Sequence, residues 1–125
     1  MAGADFLRAL FAAAGLERAV LVSPSMSGAF SLPFVAEEPQ RVQGFVPIAP
    51  VAIARHADAL RGSEVPALIL WGSADATLPP AQAAVLAACF SHAEVALFEG
   101  AKHPCYLDDP ARFHALLVEF ARRVP

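Results

Sequence analysis

Ala19-Val20-Leu21-Val22-Ser23-Pro24-Ser25-Met26-Ser27-Gly28 decides the fold: an apolar run ends in a serine-rich turn, and a second apolar stretch follows at once. A serine between small residues, where a strand hands over to a helix, is the arrangement of a nucleophile elbow. Ser25 stands at the middle of that turn. The usual form is G-x-S-x-G, because strand and helix backbones approach closely there and the outer residues must be small. Here both outer positions are serine, Ser23 and Ser27, small but not glycine.

Two later turns match the first. Pro66-Ala67-Leu68-Ile69-Leu70-Trp71 reads as a buried strand ending in Gly72-Ser73-Ala74-Asp75, and an acid just past a strand end reaches over the sheet to orient an imidazole. Val95-Ala96-Leu97-Phe98 then leads into Glu99-Gly100-Ala101-Lys102-His103-Pro104, which puts a histidine at the same rim. The order Ser25, Asp75, His103 differs from the orders used on chymotrypsin-type and subtilisin-type folds. His103 would take the Ser25 proton during attack and return it to the leaving group, and Asp75 would hold the ring tautomer. The backbone N–H of Met26, at a helix N-terminus, would donate to the oxyanion. A second donor normally comes from a loop after an earlier strand, and no segment supplies it. Ser23 and Ser27 read as shoulders of the elbow. His56, His92 and His114 read as surface or helix-face residues, Cys105 as buried beside the site, and Tyr106 and Trp71 as packing.

The words SPSMSG, FSLPF, GFVPIAP, LILWGSAD and KHPCYLDDP resemble the alpha/beta-hydrolase-domain-containing protein 14 family, which carries an S-x-S-x-S elbow. The resemblance spans essentially the whole chain but only the later part of that family's fold. It implies Ser25, Asp75 and His103 as the triad and esterase activity on small acyl esters. It also implies, for one member, removal of acetyl groups from protein lysines with coenzyme A as acceptor. A dehalogenase-like hydrolase on the same fold would want an aspartate where Ser25 stands. A reading of another class is a catalytically silent remnant that keeps the triad words and only binds a partner.

A chain of 125 residues makes one domain and buries about two thirds of its unfolded surface. With 57% apolar and 17% charged residues it is more apolar than average, which fits parallel strands covered on both faces or apolar surface left open by missing strands. No apolar run approaches the roughly 20 residues of a membrane-spanning helix, and no basic-then-apolar leader stands at Met1, so the expectation is a cytoplasmic chain without membrane partners. The net charge of -3 from 12 acidic and 9 basic residues, with no basic cluster beyond Arg122-Arg123, argues against nucleic acid. Cys89 and Cys105 are too few and too far apart for a metal site or redox motif. Reduced thiols are the simpler reading, and a disulfide stays open.

The pattern predicts helices over Ala4 to Ala14, with Gly15 as C-cap, and from about Gly28 until Pro33 and the polar Glu37-Glu38-Pro39 stretch interrupt it. Further helices or turns are expected near Ala54 to Arg61, over Pro79 to Cys89 and over Pro110 to Arg123, the last with Phe113, Leu116, Leu117 and Phe120 inward. Strands are expected at Ala19 to Val22, Gly44 to Pro50 (short or irregular around Pro47), Ala67 to Trp71 and Val95 to Phe98. Alternating elements with short connections imply an α/β fold: an α/β-hydrolase-like open parallel sheet, truncated, without its early strands, and with helices on both faces. The strand that carries Ser25 would then have a bare outer edge. A bare apolar edge predicts a fragment of a longer product, a homodimer pairing there, or poor solubility. The expected partners are a small acyl substrate or an acetylated lysine.

Overall fold

A computed structural model describes residues 3–125. Four strands, β1 (Ala19–Pro24), β2 (Val42–Ile48), β3 (Ala67–Gly72) and β4 (Ala93–Phe98), form one parallel sheet in the order β1-β2-β3-β4. The helices are α1 (Gly3–Ala14), α2 (Gly28–Glu37), α3 (Ile53–Leu60), α4 (Gln82–Ala87), α5 (Cys105–Asp108) and α6 (Pro110–Arg123), with short 3-10 turns at Ser25–Ser27 and Pro39–Arg41.

The period-2 geometry of the strands divides the interior into two cores. Phe45, Ala67, Ile69 and Trp71 face one side, where Phe11, Leu32, Phe34, Leu60, Ala83 and Leu86 of α1 to α4 cover them. Val46, Ile48, Leu68 and Leu70 face the other, against Cys105 and Phe120. The helices therefore cover both faces of the central strands β2 and β3, while Val22 of β1 and Val95 and Leu97 of β4 stay exposed. α6 turns Phe113, Leu116, Leu117 and Phe120 toward the second core, as its spacing predicts. Gly15 ends α1 at φ 69°, and the Leu16 N–H closes the cap on the Phe11 carbonyl.

One proline expectation is corrected and one holds. α2 does not stop at Pro33 but runs through it to Glu37, where the polar Glu37-Glu38-Pro39 stretch ends it as expected. An interior proline costs about 3 kcal/mol. Burial of Leu32, Phe34 and Val35, each worth roughly 1.5–3 kcal/mol, outweighs that. β2 starts at Val42, two residues earlier than expected, and Pro47 pairs with Ser23 of β1, but toward β3 the strand is irregular around Pro47 as expected, with pairs only between Phe45 and Ala67 and between Ile48 and Leu70. The proline acts on the other side. Phe45 and Ala49 donate to the carbonyls of Pro66 and Leu70. By that two-residue rhythm the rung from position 47 to Leu68 is the one a proline cannot make.

Three helix and strand boundaries also move. α4 is shorter than the expected Pro79 to Cys89, because Pro79 and Pro80 accept tight turn bonds from the N–H groups of Gln82 and Ala83. β4 begins two residues early, at Ala93. α5 falls where no helix was expected. Among the described residues no helix is long and apolar enough to cross a membrane. Cys89 and Cys105 are free and buried.

Candidate active site

Parallel strands bring their carboxyl ends to one rim, where open α/β sheets hold their reactive groups. Ser25 follows β1 directly, Asp75 lies just past β3, and His103 lies in the loop after β4. The structure brings all three into one hydrogen-bonded line. Ser25 Oγ is 2.7 Å from His103 Nε2, and His103 Nδ1 is 2.7 Å from Asp75 Oδ2.

The chemistry of the line fixes its protons. Burial pushes the Asp75 pKa up, but the Leu78 N–H, the His103 ring and the Thr77 N–H together outweigh it and hold the carboxyl below its ordinary value. Asp75 is therefore an ionised acceptor, with Oδ1 taking the N–H groups of Thr77 at 2.8 Å and Leu78 at 2.9 Å. Its Oδ2 must then receive the Nδ1 proton of His103. In a neutral ring this leaves Nε2 as a bare acceptor, and the Ser25 hydroxyl donates to it. Trp71, packed in the core as expected, adds a support: its indole N–H donates to the Leu78 carbonyl at 3.1 Å and pins the loop that wraps Asp75.

Ser25 sits at φ 49°, in the left-handed region that disfavours side chains, so the strained elbow conformation holds although its outer positions, Ser23 and Ser27, are not glycine. The glycine that the usual pattern puts at position 27 stands one residue later. At Gly28 a Cβ would lie 2.8 Å from both the Pro50 Cβ and the Val51 carbonyl oxygen, so α2 packs backbone-to-backbone on the loop after β2. That loop also holds the elbow, through the Val51 N–H and the Ser25 carbonyl at 3.0 Å. Met26 follows Ser25 in the 3-10 turn that leads to α2.

The Asp75 and His103 loops are stitched together by residues that the sequence reading passed over. Gly72 has no room for a side chain, because the carbonyls of Ala101 and Lys102 press against it. Ser73 Oγ accepts the Gly100 N–H at 2.7 Å, and Asp108 Oδ2 accepts the Lys102 N–H at 2.8 Å. Asp109 accepts the Arg112 N–H and caps α6, with Pro110 in the first turn. That Asp-Pro pair is a cap signal readable in the sequence. Among the other residues weighed, His92 and His114 are exposed and His56 is half-buried. Cys105 is fully buried, and Tyr106 packs on Phe113 at 5.8 Å. A cavity of about 530 Å³ bordered by Arg18, Val42, Leu60 and Pro66 lies at the amino ends of the strands, away from this line.

The chain is 37% identical to mouse ABHD14A over 122 residues, 97% of this chain and 49% of the mouse protein. It is 36% identical to human ABHD14B, provisionally named a protein-lysine deacylase, over 127 residues, 96% of this chain and 57% of the human one. Nearly the whole chain is thus homologous to a part of the ABHD14 proteins, and its fold is that of the α/β-hydrolases. It spans about half the length of these curated relatives. The fold agrees. The crystal structure of a predicted CIB-like hydrolase from Thermoplasma acidophilum superposes with a TM-score of 0.90 at 28% identity, covering 96% of this chain and 58% of that one. MGS-MChE2, an α/β-hydrolase enzyme from a lagoon-sediment metagenome, matches in fold at a TM-score of 0.87 and 21% identity, covering 95% and 68%. No protein-family model matches the chain.

Proposed function

We propose that this chain carries the reacting groups of a serine acyl hydrolase, with Ser25 as nucleophile, His103 as general acid and base, and Asp75 as orienter. The observation that carries the reading is the 2.7 Å contact of Ser25 Oγ with an imidazole nitrogen whose other side is fixed on a buried carboxylate.

In the first half-reaction Ser25 Oγ attacks the acyl carbon while His103 Nε2 takes its proton. The imidazolium is stabilised by Asp75, which stays ionised. The oxyanion is received by the Met26 N–H at the head of α2. Collapse expels the alcohol or amine with the proton from His103, leaving an acyl-Ser25 ester. In the second half, His103 deprotonates an acceptor that takes the acyl group and frees Ser25. Water as acceptor gives hydrolysis. The thiol of coenzyme A, the acceptor implied by the family resemblance, gives acyl transfer. The name borne by ABHD14B supports an acylated lysine as the amide substrate, and small acyl esters fit the same steps.

The test is hydrolysis of a chromogenic acetate ester by the purified chain beside Ser25→Ala, with a fluorophosphonate label located by peptide mass mapping. The expected result is label on Ser25 and turnover abolished by the substitution. A folded chain with neither overturns the reading and leaves a domain that binds without catalysis.

A further inference from the structure

Among the described residues Ser23, Ser31 and Asp75 are the buried polar side chains, and the two serines are not used by the chemistry above. Ser23 Oγ lies 2.6 Å from Ser31 Oγ and 2.7 Å from Ser27 Oγ, and Ser27 Oγ lies 2.7 Å from the Pro24 carbonyl oxygen. A carbonyl only accepts, so the Ser27 proton is committed to Pro24. Each hydroxyl has one proton. Ser23 must therefore donate to Ser27, and Ser31 must donate to Ser23. The chain of bonds runs one way: Ser31 to Ser23 to Ser27 to the Pro24 carbonyl.

That carbonyl belongs to the peptide unit whose nitrogen is the Ser25 amide. Its orientation is what the φ of Ser25 measures, and that φ is 49°. We propose that Ser31, Ser23 and Ser27 are positioning residues that lock the Pro24–Ser25 peptide plane through one directed hydroxyl chain and so aim the Ser25 hydroxyl at His103. In a G-x-S-x-G elbow the shoulders have no side chains and glycine tolerates the close approach. Here the shoulders carry hydroxyls, and hydrogen bonds hold the turn. Ser31 lies one helical turn beyond Ser27, on the same face of α2, which is why it reaches the buried end of the chain. The nucleophile role assigned to Ser25 rests on the proposed function; the lock itself does not.

The experiment has two readouts on Ser31→Ala, Ser23→Ala and the double variant. The first, independent of activity, is amide hydrogen exchange. Both single variants are expected to speed exchange of the 25–28 amides about 3- to 10-fold, the worth of one neutral hydrogen bond, with peptides of α6 unchanged. Unchanged exchange at the elbow, or a uniform rise across the chain, overturns the proposal. The second is the rate of fluorophosphonate labelling of Ser25. Each single variant should slow it by a similar factor, without moving its pH profile, because Asp75 and His103 are untouched. The double variant should be no slower than Ser23→Ala, since one break already opens the chain. Independent, additive losses overturn it. Failure of the unsubstituted chain to label counts against the proposed function alone and leaves the exchange result to decide this one.

Discussion

The Ala74 N–H donates to the Ala101 carbonyl at 2.9 Å and ties the loop that carries Asp75 to the loop that carries His103. The bond forms because Gly72, two residues earlier, lets the Ala101–Lys102 backbone lie directly on the end of β3. A methyl group there collides with two carbonyls at once, and backbone cannot swing aside as a flexible side chain can. Gly72→Ala should therefore move the His103 loop outward and lengthen both contacts in the line. The expected outcome is at least a 100-fold loss of Ser25-dependent turnover, since misplacement by about 1 Å costs that much. An unchanged rate in a folded variant would show that the His103 loop tolerates displacement.

Asp75 gives a pH prediction with a definite sign. Its folded pKa is held below the ordinary value near 3.9. The stability it contributes is present above that unfolded value and is lost as pH falls through the folded one. In Asp75→Asn this loss is absent, so denaturant titrations below about pH 4 should show a shallower decline than in the parent chain. At neutral pH the same variant should lose about 10³- to 10⁴-fold in kcat, because an amide cannot enforce the Nδ1–H tautomer. Parallel stability curves in acid would remove Asp75 as a depressed, hydrogen-bonded carboxylate.

Ser25, Asp75 and His103 were legible because each lies in the turn that follows an apolar run, and parallel strands carry everything at their carboxyl ends to one rim. Gly72, Ser73 and Ser31 were not. Their partners lie up to 30 residues away in sequence and are set by which loops the sheet order makes neighbours. Pro33 misled for an energetic reason: it removes one hydrogen bond, a local cost visible in the sequence, while the burial that offsets it becomes visible only once α2 is placed between neighbours. Pro47 was legible, because a missing N–H interrupts the β2–β3 ladder wherever the strand sits. The boundary of α4 was hidden likewise, because the Pro79 and Pro80 carbonyls close tight turns on the N–H groups of Gln82 and Ala83.

The two thiols should be inert in the folded chain. Burial pushes the Cys105 pKa up to about 11 and raises that of Cys89 as well. Thiolate is the reactive form, so at pH 7.5 almost none is present, and neither sulfur is open to solvent. Iodoacetamide should leave both unmodified under native conditions and alkylate both in denaturant. Fast native labelling of Cys105 would mean that α5 opens readily and with it the loop behind His103.

The loop after β2 stores strain that substitution can measure. Ala49 and Ala52 both adopt left-handed backbone, at φ 42° and 69°, on either side of the Val51 N–H that holds the Ser25 carbonyl. An L-residue with a Cβ pays about 1–2 kcal/mol there, which glycine avoids at an entropic cost below 1 kcal/mol. Ala52 is half-buried, so Ala52→Gly loses little packing and should raise stability by about 0.5–1 kcal/mol. Ala49 is fully buried, and removing its methyl forfeits roughly 0.8 kcal/mol of burial, which cancels the relief. Thermal denaturation should therefore rank Ala52→Gly above the parent and Ala49→Gly level with it. If Ala52→Gly also slows labelling of Ser25, the strain helps to press Val51 against the elbow; an unchanged rate assigns it to the turn alone.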